Sequence, residues 1–121
     1  MVKNLILVFI GGGIGSMLRF LISKINYSNL NFPIGTLFVN LLGSFLIGLI
    51  IGYGLKNNNL KNPEFIFLTT GFCGGFTTFS AFSAESLETL NNGSYNYFFI
   101  YSSITIVAGI LFAFLGFSLT K

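Results

Sequence analysis

Four long apolar runs, at about 5–25, 34–55, 65–90 and 97–119, leave this chain few choices of fold. An α-helix rises 1.5 Å per residue, so about 20 apolar residues cross a hydrocarbon core about 30 Å thick. Inside lipid every backbone polar group needs an internal partner, and a helix is the one local structure that supplies it. The 121 residues therefore read as an all-α integral membrane protein with four transmembrane helices, a single transmembrane domain over 1–121. Composition agrees: 53% of residues are hydrophobic and 7% charged, against about a quarter charged in soluble domains. The runs are separated by "NYSNLNFP", "KNNNLKNP" and "NNGSYN", rich in the Asn, Ser, Gly and Pro that favour turns. Pro33 and Pro63 each precede or open a run, at the first helical turn where a missing N–H does no harm.

The formal charge of +3 comes from Lys3, Arg19, Lys24, Lys56, Lys61 and Lys121, set against three acidic residues. The basic residues form no patch, so nothing points to nucleic acid. They stand near span ends, where they snorkel to the interface and bias topology. Four crossings put both termini on one side, together with Lys3, Lys56, Lys61 and Lys121; Arg19 and Lys24 lie toward the other. This leans toward cytoplasmic termini by a thin margin, which leaves insertion in both orientations open. The first run looks superficially like a signal peptide, but it lacks a small-x-small cleavage site and continues to Arg19 and Lys24; the reading is a retained span. With Cys73 the sole cysteine and no histidine, a disulfide framework, a cysteine-rich metal site and the commonest general base are all excluded within one chain.

Glycines spaced four apart, Gly11 with Gly15, Gly48 with Gly52 and Gly71 with Gly75, have the small-xxx-small pattern that lets membrane helices approach closely. "GGGIGS" is not a dinucleotide loop, because Ser16 stands where the third glycine belongs and no βαβ context surrounds it.

Polar side chains at membrane depth cost enough that each needs a reason. Arg19 either snorkels from the end of the first span or draws anions into a vestibule. Asn40, in "GTLFVN", is too deep to snorkel; its amide makes an interhelical hydrogen bond or offers N–H donors to a passing anion. Glu85 and Glu88 either reach water or supply a proton-coupling carboxylate. In "GFCGGFTTFSAF" the pair Gly74-Gly75, followed by Phe76, Thr77 and Thr78, is poor helix in the middle of a long third span. Two readings stand: a kink packed by neighbours, or a third helix broken near its middle whose freed carbonyls suit a cation. Phe79 and Phe82 are three apart and share a helix face. Their rings either pack and meet lipid, or turn electropositive edges inward.

Three motifs, "GGGIGSMLRF" at 11–20, "GTLFVNLLGSFLIG" at 35–48 and "GFCGGFTTFSAFSAE" at 71–85, together resemble the CrcB/Fluc family of small fluoride channels. With the fourth span the resemblance covers essentially the whole chain. It implies a four-helix protein that assembles as an antiparallel, dual-topology homodimer with two fluoride pathways along the subunit interface. It implies that Phe79 and Phe82 line the pathway, that Asn40 is the pore asparagine, and that Ser80, Tyr101 and Thr105 form a polar track. Arg19 matches the arginine ending the first-span motif and Glu85 a carboxylate after the phenylalanine pair. Gly74 and Thr77 match the break whose backbone carbonyls hold a structural Na⁺ at the dimer centre. One departure is Ala81, where the family usually has threonine; losing that hydroxyl weakens the polar track.

The resemblance and the bare residues agree chemically. A tightly hydrated small anion needs hydroxyl, amide and ring-edge contacts in place of water, along a path too narrow for chloride. A central cation offsets the cost of an anion at mid-membrane. The expectation is a passive fluoride channel of the cell membrane, with fluoride, lipid and a second copy of itself as partners. The rivals are a proton-coupled four-span exporter of small organic cations using Glu85, and a non-transporting assembly subunit. The first of these normally carries its carboxylate in the first span, where this chain has none. An enzyme is not expected, since no histidine and no paired carboxylates stand at mid-membrane.

Overall fold

The computed structural model describes residues 1–24 and 33–121. Ile25 and the turn sequence from Asn26 to Phe32 lie outside the described residues. Helix α1 spans Val2–Ser23 and α2 spans Ile34–Lys56. The third crossing is assembled from pieces: α3 Pro63–Ile66, a π-helical stretch Phe67–Cys73, α4 Gly74–Phe76 and α5 Phe79–Asn91. Helix α6 closes the chain as Tyr95–Thr120. Among the described residues there is no strand. Four helical stretches are long and apolar enough to cross a membrane: Val2–Ser23, Ile34–Lys56, Pro63–Asn91 and Tyr95–Thr120.

The turns follow their residues. Asn58 takes a left-handed conformation, φ 55°, which asparagine tolerates better than most side chains. Asn62 is extended before Pro63, which sits in the first turn of α3 with Glu64 beside it at the positive helix end. After α5, Gly93 at φ 77° lets its N–H reach the Leu90 carbonyl at 3.1 Å while the Ser94 N–H reaches that of Thr89 at 2.9 Å. This is the left-handed glycine ending that satisfies a helix's last carbonyls.

Packing is by two backbone-to-backbone seams. Helix α2 lies on α6 so closely that a Cβ at Gly48 would fall on the Ala113 carbonyl, and one at Gly116 on that of Phe45. Helix α1 lies on the third crossing the same way: a Cβ at Gly15 would fall on the Phe72 carbonyl, and one at Gly75 on that of Gly12. Small residues permit this approach, and dispersion rather than water release holds helices together in lipid. Thr36, Val39, Cys73, Phe76 and Tyr101 form the buried centre. Phe9, Val107 and Phe114 are exposed on the outside, as lipid-facing side chains are.

Between α4 and α5 the backbone is extended, at φ −90°, ψ 156° for Thr77 and φ −153°, ψ 121° for Thr78. The Thr77 N–H and its Oγ1 both donate to the Cys73 carbonyl, at 3.0 and 2.9 Å, which finishes α4. The Thr78 hydroxyl accepts the Ala81 N–H at 3.1 Å and so caps α5. A threonine is well suited to each task, because its β-branch disfavours the helix and its hydroxyl replaces the lost backbone bond.

Candidate functional site

Helix α2 supplies a polar stripe: Thr36, Asn40 and Ser44 stand four apart and share one face. Thr36 Oγ1 donates to Glu85 Oε1 at 2.7 Å, and Ser44 Oγ donates to the Asn40 carbonyl at 2.7 Å. Asn40 itself grips the extended link, donating from Nδ2 to the Thr78 carbonyl at 3.2 Å and accepting the Thr78 N–H on Oδ1 at 2.8 Å. The amide pairs with Thr78 as a neighbouring strand would, satisfying backbone groups that no helix reaches.

That grip has a second effect. In an unbroken helix the Thr78 N–H would go to the carbonyl of Gly74, four residues back. It goes to Asn40 instead, so the Gly74 carbonyl loses that partner. The next carbonyl, Gly75, accepts Arg19 Nε at 2.9 Å and Ser16 Oγ at 3.4 Å from α1. Among the described residues no group of three or more Cys, Asp or Glu side chains comes together to hold a metal ion.

Helix α5 turns aromatic rings toward the same place. The centroids of Phe79 and Phe82 are 5.5 Å apart with planes tilted by 39°, and Phe82 stands 5.2 Å from Tyr101 at 46°. This ladder runs from Phe79, 78% exposed, to Tyr101, fully buried. Tilted rings bring hydrogen-bearing edges, not only faces, to the space beside them. The Tyr101 hydroxyl donates to Glu85 Oε2 at 3.2 Å. Glu85 thus ties the first turn of α2, whose positive end favours a carboxylate, to α6. Four residues beyond Tyr101, the buried Thr105 hydroxyl has no hydrogen-bond partner among the described residues; nor have the hydroxyls of Ser86 and Ser102. Buried hydroxyls are nearly always paired, so these three are exceptions, and the Thr105 hydroxyl among them belongs to a residue that lines a groove. The groove, about 470 Å³, is lined by Asn40, Ser44, Thr77, Phe79, Phe82 and Thr105 among otherwise mostly apolar side chains.

The sequence profile of the family described as "CrcB-like protein, Camphor Resistance (CrcB)" matches residues 6–117. The chain belongs to the CrcB family. Among similar proteins, a "Fluoride-specific ion channel FluC" of Azobacteroides pseudotrichonymphae is 48% identical over 100% of this chain and 98% of its own length. One so named in Phocaeicola vulgatus is 49% identical over 94% of this chain and 95% of its own. One in Aquifex aeolicus is 47% identical over 93% and 92%.

In this CrcB chain the residues singled out from sequence fall into three places. Asn40, Thr77, Phe79, Phe82 and Thr105 line the groove. Tyr101 and Glu85 stand behind it, bonded to each other. Ser80 is exposed, with its hydroxyl 2.9 Å from that of Thr78. Arg19 lies on the α1 side of the link, and Gly74 is exposed beside it. Sequence reasoning missed Thr36 and Ser44, although their spacing of four on either side of Asn40 is a visible signal. It named Thr78 only as part of the break, without its pairing to Asn40, and missed the contact of Ser16 with the Gly75 carbonyl; both depend on where two backbones meet and leave no trace in spacing.

Proposed function

We propose that this chain is a fluoride-selective channel through which cytoplasmic fluoride leaves the cell passively, giving fluoride resistance; it is a multi-pass membrane protein and not an enzyme. The observation that carries this is similarity along the whole chain to proteins named fluoride-specific ion channels. The groove supports it chemically. Fluoride gives up water only where other donors replace it. Phe79 and Phe82 offer ring edges, Thr105 an unpaired hydroxyl, and Asn40 the second N–H of an amide that has spent one on Thr78. Ser80 and Tyr101 extend the hydroxyl track, and Glu85 orients Tyr101.

In the finer reading the third helix is functionally broken, and two antiparallel, dual-topology copies pair to form two pathways. The extended Thr77 and Thr78 support the first point. The exposure of Phe79 and Gly74 in a single copy supports the second, since a partner covers them. A structural Na⁺ fits the carbonyls of Gly74 and Thr77, because one has lost its helical donor to Asn40 and the other belongs to extended backbone. Bound there, the ion supplies positive charge that lowers the cost of an anion at mid-membrane. The exporter reading is not favoured, since the relatives are named fluoride channels.

The test is efflux from liposomes carrying the purified protein, read with fluoride- and chloride-selective electrodes. Fluoride should leave orders of magnitude faster; equal rates refute the proposal, and a requirement for a pH gradient returns the exporter.

A further inference from the structure

The Gly75 carbonyl lies where α4 gives way to extended backbone, so no following helical turn stands ready to pair it. Two side chains of α1 converge on it: Arg19 Nε at 2.9 Å and Ser16 Oγ at 3.4 Å. The approach is tight, since Gly75 has no room for a Cβ against the Gly12 backbone. Three residues on, Asn40 holds Thr78 by its N–H and its carbonyl. The link between α4 and α5 is thus clamped from α1 on one side and from α2 on the other. Phe79, the first ring of the ladder, follows the clamped Thr78 directly.

We propose that Arg19 is a positioning residue of the ion pathway: it fixes the Gly75 carbonyl and, through the short link, the placement of Phe79 and Phe82, and is not chiefly a free charge that draws anions to a vestibule. The inference rests on the channel reading. A guanidinium at a helix C-terminus meets both the partial negative charge of that end and an unpaired carbonyl. Nε is directed by the planar fork, and a lysine ammonium does not reproduce that direction.

Charge and position are separable because salt screens one and not the other. Fluoride and chloride efflux are measured for the wild type, Arg19→Lys and Arg19→Gln at about 0.01 M and about 1 M salt, where the Debye length falls from about 30 Å to about 3 Å. Rates are taken per folded protein. Both variants should lose about tenfold or more in fluoride rate, the size of one lost charge-assisted hydrogen bond, by the same factor at both salt levels. The fluoride-to-chloride ratio should fall as well, which mere instability does not cause. An Arg19→Lys protein that conducts like the wild type, with Arg19→Gln impaired only at low salt, assigns Arg19 to anion attraction and overturns the proposal. So do wild-type rates in both variants.

A measurement on the unaltered protein decides the matter where variants fail to fold. Solid-state NMR on bilayer samples should give a through-space contact between Arg19 ¹⁵Nε and Gly75 ¹³C′, and its absence overturns the proposal. A wild type that passes no fluoride defeats the channel reading instead, and the NMR contact still tests the clamp.

Discussion

Asn40 holds Thr78 by both backbone groups, giving a hydrogen bond to its carbonyl at 3.2 Å and taking one from its N–H at 2.8 Å. One side chain on an unbroken helix thereby stands in for the backbone pairing that the third crossing lacks at this point.

Asn40→Ala should abolish fluoride efflux from liposomes while the proposed dimer, followed by size-exclusion chromatography, persists. It strips both bonds from Thr78, at a cost of about 1–3 kcal/mol, which lowers the thermal midpoint in detergent. Efflux at the wild-type rate would remove Asn40 from the pathway.

Phe82 is the middle ring of the ladder, 5.5 Å from Phe79 and 5.2 Å from Tyr101. Phe82→Ile keeps apolar bulk and removes the ring edge. The expected result is an unchanged size-exclusion profile without fluoride flux; normal flux would show that bulk alone suffices.

Tyr101→Phe keeps the ring and deletes the hydroxyl that donates to Glu85 at 3.2 Å. Fluoride flux should fall by about tenfold, with a stability loss of no more than about 3 kcal/mol, the upper end for a hydrogen bond to a charged group. Paired efflux and melting measurements check this, and a large stability loss with unchanged flux would assign the hydroxyl to folding alone.

Gly48 and Gly13 make a contrast. Gly48→Ala drives a methyl into the Ala113 carbonyl and should cost about 1–3 kcal/mol, whereas Gly13 has nothing near its Cβ direction. Gly13→Ala should be neutral or stabilising by up to about 1 kcal/mol through helix propensity. Thermal melts of both in one detergent give the comparison, and equal shifts would mean that the α2–α6 seam is not tight.

Ala81→Thr adds the hydroxyl that the resemblance drawn from sequence leads one to expect at this position. Its N–H already caps on Thr78, so the added side chain leaves the α5 start undisturbed. The fluoride rate should rise; an unchanged rate would show that this hydroxyl does not limit conduction.

The four membrane-crossing helices were legible in the sequence because lipid leaves a long apolar run one backbone solution. The glycine pairs announced close packing but not their partners: spacing gives a face, and only the folded chain sets Gly48 against Ala113 and Gly15 against Phe72. Asn40 and Glu85 stood out as polar groups in apolar spans. Their partners did not, since the Thr78 backbone and the Thr36 and Tyr101 hydroxyls come from other helices. Arg19 was legible as a charge and illegible as a ligand of the Gly75 carbonyl, a contact made across 56 positions of sequence.

The glycine seams have a mechanical meaning. Where main chain rests on main chain there is no compliant layer of side chains to squeeze, so the seams act as hard stops between rods. Thermal breathing between α2 and α6 then requires lifting one entire rod off the other, a collective and costly displacement. The spacing of α2 and α6, which both line the groove, is therefore fixed by main-chain contact and not by the rotamers of side chains between them.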